Sequence, residues 1–175
     1  MLRLRPYKSC DAAKIAEWVS DMEVYMKWGG NLVGDFPLTA ETIDKKYRDE
    51  NGACTEPDNF YPWTAVDEEE NVVGSFIMRY MHGDSRTIRF GWVVVDDSIR
   101  GKGIGKQMLT AGLRYAFNFL GANVVTIGVF ENNDIAHNCY KKIGFTDREV
   151  VEKEPWNVVE METTRDAAKK AGLTE

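Results

Sequence analysis

The sequence predicts an α/β (α+β) fold, a mixed and largely antiparallel sheet flanked by helices, and three observations carry that expectation. β-Branched and aromatic residues dominate 60–81 around a polar turn, and apolar residues alternate in face from 86 to 95. The period changes to three and four directly after the glycines at 101, 103 and 105. The chain has 175 residues, 43% of them hydrophobic, which suits one core, so 1–175 is read as a single domain.

Leu2 and Leu4 alternate with Arg3 and Arg5 up to Pro6, as in a short strand, and Ser9 or Asp11 then offers a helix N-cap. Ala12, Ile15, Ala16, Val19 and Met22 follow at helical spacing. From Tyr25 through Trp28, Gly29, Gly30 and Gly34 to Pro37 neither period holds, and the stretch reads as a loop carrying large side chains. Thr39 opens a polar helix through Ile43 and Tyr47 to Asp49, without a full capping box because residue 42 is Thr. β-Branched and aromatic residues dominate from Phe60 to the turn at 67–71 and again from Val72 to Met81, which signals a hairpin. A third strand over Arg86 to Val95 places Ile88, Phe90, Trp92 and Val94 on one face and completes an antiparallel meander.

Met108, Leu109, Leu113, Ala116, Phe117 and Leu120 form the apolar stripe of the longest helix. Val124 to Phe130 is nearly continuous in apolar residues, as a buried parallel strand would be. A short helix is expected from Asn133 to Lys142, strands from Phe145 to Val151 and from Val158 to Met161, and a frayed helix at the end.

The 28 acidic and 22 basic residues give a formal net charge of -6, which argues against nucleic-acid binding through a general positive field. A cationic small molecule or peptide is the easier partner. Cys10, Cys54 and Cys139 contain no CxxC pair, and His82 and His137 lack zinc-ligand spacing, so reduced thiols and no metal are expected. No apolar stretch approaches the roughly 20 residues of a membrane span. A cytoplasmic protein with no membrane partner is the expectation.

The segment Ser98 to Lys106 joins a strong strand to a strong helix, where glycines let backbone N–H groups face an anion at the helix N-terminus. Three alternating glycines with Arg100, Lys102 and Lys106 exceed what a tight turn requires. A Walker loop is excluded, because three residues rather than four separate Gly101 from Gly105 and Gln107 follows Lys106. The dinucleotide fingerprint is excluded by the spacing G-x-G-x-G.

Arg100-x-x-Gly103-x-Gly105, followed further along by Asn133-x-x-Ala136-x-x-x-Tyr140-x-Lys142-x-Gly144-Phe145, resembles the two signatures of the GNAT superfamily of acyl-CoA-dependent N-acetyltransferases. The resemblance implies a GNAT-type domain with acetyl-CoA as co-substrate. It assigns the coenzyme pyrophosphate to Arg100 and the backbone from Gly101 through Lys102, Gly103, Ile104 and Gly105 to Lys106. It assigns the pantetheine arm to the backbone of Val93, Val94 and Val95, in a cleft between the fourth and fifth strands, and places Asn133 and Ala136 on the coenzyme-binding helix. Tyr140 becomes the general acid toward the leaving thiolate, a role suited to a phenol whose ordinary pKa is about 10.

Cys139 beside Tyr140 lacks a His/Asp pair and reads as a small buried hydrophobe rather than a nucleophile. His137 is expected on the exposed side of its helix, and His82 in a turn. The Trp28 region, Pro37-Leu38-Thr39 and Gly91-Trp92 resemble the branch that contains N-terminal acetyltransferases of ribosomal proteins. That branch often has a glutamate where this chain has Arg89, which cannot act as a base and can hold an acidic group of the acceptor or of the protein. Trp28, Trp92 and Trp156 could frame a cationic acceptor. The expected reaction is direct acetyl transfer to a primary amine of a small molecule or peptide. A non-catalytic acyl-CoA-binding module on the same fold is the alternative, and a homodimer is open.

Overall fold

The computed structural model describes residues 2–52, 59–81, 83–99 and 101–173; Arg100, Cys54 and His82 lie outside the described residues. The strands are β1 (Arg3–Pro6), β2 (Tyr61–Val66), β3 (Val72–Met81), β4 (Asp84–Val95), β5 (Val124–Phe130), β6 (Thr146–Val151) and β7 (Val158–Thr164). The helices are α1 (Ala12–Trp18), α2 (Met22–Trp28), α3 (Ala40–Gly52), α4 (Ile104–Asn118), α5 (Asp134–Lys142) and α6 (Arg165–Lys170). The seven strands are hydrogen-bonded in the order β1-β2-β3-β4-β5-β7-β6. The chain divides into two compact units, Met1–Arg79 with Trp92–Gly105, and Tyr80–Gly91 with Lys106–Glu175.

In the first unit β1 runs antiparallel to β2 and β2 antiparallel to β3. Asp67 shapes the hairpin turn, its Oδ1 accepting from the amides of Glu69 and Asn71. Asp11 makes no side-chain cap on α1. Its carboxylate is 2% exposed and accepts from both terminal nitrogens of Arg5 at 2.7 Å, from the Lys8 amide at 2.9 Å and from Thr64 Oγ1 at 2.7 Å. Four donors make burial of that charge tolerable. Burial pushes its pKa up, and the bonds from Arg5, Lys8 and Thr64 outweigh this and hold it below the usual carboxylate range.

The expected first helix is divided. α1 stops at Trp18, and Asp21 caps a new helix by accepting from the amides of Glu23 and Val24. Tyr25 and Trp28, read as loop residues, are three apart on α2 and both buried. Thr39 does open α3, its Oγ1 accepting from the Thr42 amide at 3.1 Å. Ile15, Val19, Trp28, Ile43, Tyr47 and Phe60 build the core.

The one-faced reading of β4 fails at Trp92, whose φ of 46° lies in the left-handed region. A non-glycine residue there costs about 1–3 kcal/mol. The ring offsets that cost by stacking on Tyr47 (centroids 5.5 Å, 8° between planes) and meeting Phe60 edge-on at 6.0 Å. Val94 belongs to the same core.

In the second unit β4 runs parallel to β5 from Thr87↔Val124 to Phe90↔Ile127, and β7 lies antiparallel to both β5 and β6. β5 was expected to be buried along its length. Instead Val125, Ile127 and Val129 are buried, and Thr126, Gly128 and Phe130 on the opposite face are only half-buried. The apolar stripe of α4 is buried at Met108, Leu109, Leu113, Ala116 and Phe117 as the spacing predicts. Arg165 holds the end of α4, donating to the carbonyls of Phe117 and Ala122 and lying 5.7 Å over the Phe117 ring.

Candidate active site

The glycine turn follows from two conformational demands. Gly101 (φ 82°) and Gly103 (φ 72°) adopt backbone that L side chains rarely take, while a Cβ on either would meet nothing within 4 Å. Glycine is thus needed for the path of the chain and not for lack of room. Gly101, Lys102 and Gly103 are exposed, Ile104 and Gly105 half-buried in the first turn of α4, and Lys106 exposed. The first-turn amides of a helix lack intrahelical partners and sit at the positive end of its dipole, so exposed backbone here can approach an anion closely. The start of the turn is pinned by Asp96, whose amide donates to the Val73 carbonyl at 3.0 Å and whose Oδ1 accepts from the amide and hydroxyl of Ser98. Val94 is buried, and Val93 and Val95 are half-buried.

In the second unit Asn133 caps α5, its Oδ1 accepting from the Ala136 amide at 3.3 Å. That side chain is engaged in shaping the helix. Four residues past the half-buried Ala136, Tyr140 is 6% exposed, its ring 6.2 Å from that of Phe145. Phe145 in turn meets Phe90 at 6.5 Å, so Tyr140 lies on the Phe90 side of the β4–β5 pair. Among the described residues its hydroxyl has no hydrogen-bond partner. Burial, reinforced by Cys139, raises its pKa above the ordinary phenol value. The side chain is therefore an uncommitted donor that keeps its proton at neutral pH.

Burial also raises the Cys139 thiol against the lowering pull of Lys142 and Lys106. A neutral thiol is a poor nucleophile, in keeping with the sequence reading. His137 is not on an open surface as expected; it is half-buried, with Nε2 2.7 Å from Asp147 Oδ1. Cys10 and Cys139 are free cysteines.

Arg89 holds an acidic group of the protein itself. Its two terminal nitrogens donate to Glu160 at 2.6 and 2.9 Å, both side chains about one-quarter exposed (27% and 25%). A Cβ on Gly128 would lie 2.6 Å from the Arg89 guanidinium, so the pair crosses β5 where that strand has no side chain. Sequence reasoning missed Glu160 and Gly128, because neither belongs to a motif and their proximity depends on strand order. Of the three tryptophans, Trp28 and Trp92 meet at 6.1 Å in the first unit, whereas Trp156 packs edge-on against Phe130 at 5.5 Å in the second. Two open cavities of about 490 and 390 Å³ lie in the first unit; the first is lined in part by Asp96 and Ile99 at the start of the glycine turn, and neither is lined by a residue of α5.

A family model described as an acetyltransferase (GNAT) domain matches residues 1–146. The chain belongs to that family and is an acetyl-CoA-dependent N-acetyltransferase. The crystal structure of spermidine N-acetyltransferase from Vibrio cholerae in complex with CoA and spermine is similar in fold, with a TM-score of 0.77 over 95% of this chain and 96% of that one at 16% identity. Aminoglycoside acetyltransferase AAC(6')-Ib in complex with coenzyme A gives a TM-score of 0.79 over 98% and 99% at 19% identity. Among the described residues no helix is long and apolar enough to cross a membrane.

Proposed function

We propose that the protein moves the acetyl group of acetyl-CoA directly to a primary amine of a small, positively charged molecule. The observation that carries this reading is Tyr140, a buried phenol with a raised pKa and no hydrogen-bond partner among the described residues. Arg100, outside the described residues, and the backbone from Gly101 to Lys106 hold the coenzyme pyrophosphate. The backbone of Val93 to Val95 bonds the pantetheine arm. The neutral amine nitrogen attacks the thioester carbonyl, the carbon–sulfur bond breaks, and the Tyr140 hydroxyl gives its proton to the departing sulfur. The extra proton on nitrogen leaves to water, and water reprotonates Tyr140.

The acceptor class rests on charge and on fold relatives. The chain carries a formal net charge of -6, which favours a cationic partner. Relatives of this fold were crystallised with spermine and with the aminoglycoside kanamycin, each of which carries several amines. The cytoplasm is the proposed location, where the free thiols of Cys10 and Cys139 stay reduced.

Free thiol released from acetyl-CoA, followed across polyamines, aminoglycosides, basic peptide N-termini and neutral arylamines, tests the reading. Turnover is expected with the small polycations. Release with none of these amines by a protein that binds acetyl-CoA would overturn it.

A further inference from the structure

The ion pair between Arg89 and Glu160 is bidentate, with both side chains about one-quarter exposed. It passes over Gly128, where a Cβ would stand 2.6 Å from the Arg89 guanidinium and 3.1 Å from Val158. Glycine leaves room there for the two side chains to meet across β5.

Register defines its setting. Gly128 lies opposite Glu160 and Phe130 opposite Val158 on β5 and β7. Thr126 lies opposite Glu162 and beside Arg89. Residues two apart on a strand share a face, so Arg89, Thr126, Gly128, Phe130, Val158, Glu160 and Glu162 occupy the half-exposed side of the sheet, opposite Phe90. The parallel register of β4 with β5 ends at Phe90↔Ile127, although β5 continues to Phe130. Glu160 therefore sits beside the stretch of β5 past the end of that register. Next along the same face, Phe130 and Trp156 meet edge-on at 5.5 Å and leave Trp156 half-buried.

Arg89 takes one position on each Glu160 oxygen and fixes the carboxylate plane. A carboxylate has about four acceptor positions, so about two stay open. A fixed carboxylate beside a half-exposed indole suits an alkylammonium, whose charge meets the carboxylate and whose methylenes and remaining charge meet the ring.

We infer that Glu160, oriented by Arg89 across Gly128, receives a cationic group of the acceptor on the half-exposed face of β5 and β7, with Trp156 as the adjoining wall. This rests on the amine-acetyltransferase reading and adds to it a recognition carboxylate and a preference for acceptors with a second positive charge. Arg89 is a positioning residue.

The test titrates 1,4-diaminobutane and, separately, propylamine into the full-length protein saturated with CoA, and measures thiol release in parallel with acetyl-CoA. Glu160→Gln is expected to weaken diamine binding about tenfold and raise its KM likewise, with kcat within about twofold and CoA affinity unchanged. Propylamine binding should be nearly equal in both proteins. Glu162→Gln, which removes the same charge from the same face, should stay within about twofold of the parent, and Arg89→Lys should retain more diamine affinity than Arg89→Leu. Equal diamine binding by parent and Glu160→Gln, an equal loss in Glu162→Gln, or no binding by the parent overturns the inference. A parent that binds the diamine through Glu160 and releases no thiol supports this recognition site and overturns the enzymatic reading instead.

Discussion

Tyr47 in the first unit and Tyr140 in the second are 2% and 6% exposed, and burial raises both phenols. They differ in what surrounds them. Tyr47 is stacked on Trp92, 5.7 Å from Phe60 and 4.9 Å from Tyr7, inside an aromatic cluster that also covers the left-handed backbone at Trp92. Tyr140 stands on a helix capped by Asn133, with Phe145 as its aromatic neighbour. Neither hydroxyl has a hydrogen-bond partner among the described residues. Burial and a raised pKa alone do not separate a structural tyrosine from a proton donor. Position in the Asn133–Phe145 signature is what singles out Tyr140 as the proposed donor.

The sharpest way to break this contrast is to remove each hydroxyl. Tyr140→Phe should lower turnover by about 10²–10⁴ while leaving coenzyme affinity nearly unchanged, as loss of a general acid does. Tyr47→Phe should leave turnover within about twofold. Equal rates of thiol release from both variants, with chemistry limiting, would make Tyr140 structural as well.

Stability should order the two residues the other way. Tyr47→Ala empties the centre of an aromatic cluster and should cost about 3–5 kcal/mol, while Tyr140→Phe keeps its packing and should cost under about 1 kcal/mol. Urea unfolding monitored by tryptophan fluorescence reads both, and a larger loss for Tyr140→Phe would reverse the assignment.

The glycine turn gives a smaller, ligand-dependent effect. CoA at about 100 times its Kd should stabilise the parent by about 2.7 kcal/mol. Gly103→Asp should abolish that shift, since it strains a φ of 72° and puts a negative charge at the proposed pyrophosphate site. A melting shift like the parent's would place the anion elsewhere.

The gentlest test is pH. Asp11 is held below the usual carboxylate range, so its contribution to stability is complete above the unfolded pKa of about 4 and fades as pH falls through the lower folded value. Asp11→Asn should flatten the acid limb of the stability curve; an unchanged limb would assign acid loss to other carboxylates. Turnover should rise from about pH 6 to about pH 9 as the acceptor loses its proton, and Tyr140, with its raised pKa, should impose no fall across that range. A decline beginning near pH 8 would require a different acid.

Much of the second unit was legible before any coordinates. The stripe of α4, the cap of α5 and the signature from Asn133 to Phe145 rest on contacts a few residues apart, where period and capping chemistry decide the outcome locally. The first unit was harder. Asp21 starts a helix inside what period alone presents as the tail of one helix and a loop, and Asp11 looks like a cap although its partners are Arg5, Lys8 and Thr64. In each case one short acidic side chain had several possible donors, and only their distances selected among them.

By itself the sequence determined the family, the glycine turn, the helix that carries Tyr140 and the family's acyl donor, because these are written in residues close along the chain. Only the tertiary structure decided that Arg89 answers to Glu160 across Gly128, that β5 is buried on one side, and that Trp156 packs against Phe130. Those outcomes depend on β7 lying beside β5, which brings residues 89 and 160 within 2.6 Å of each other. Hydrophobic period reports which way a side chain points, and it carries no information about which strand will be its neighbour.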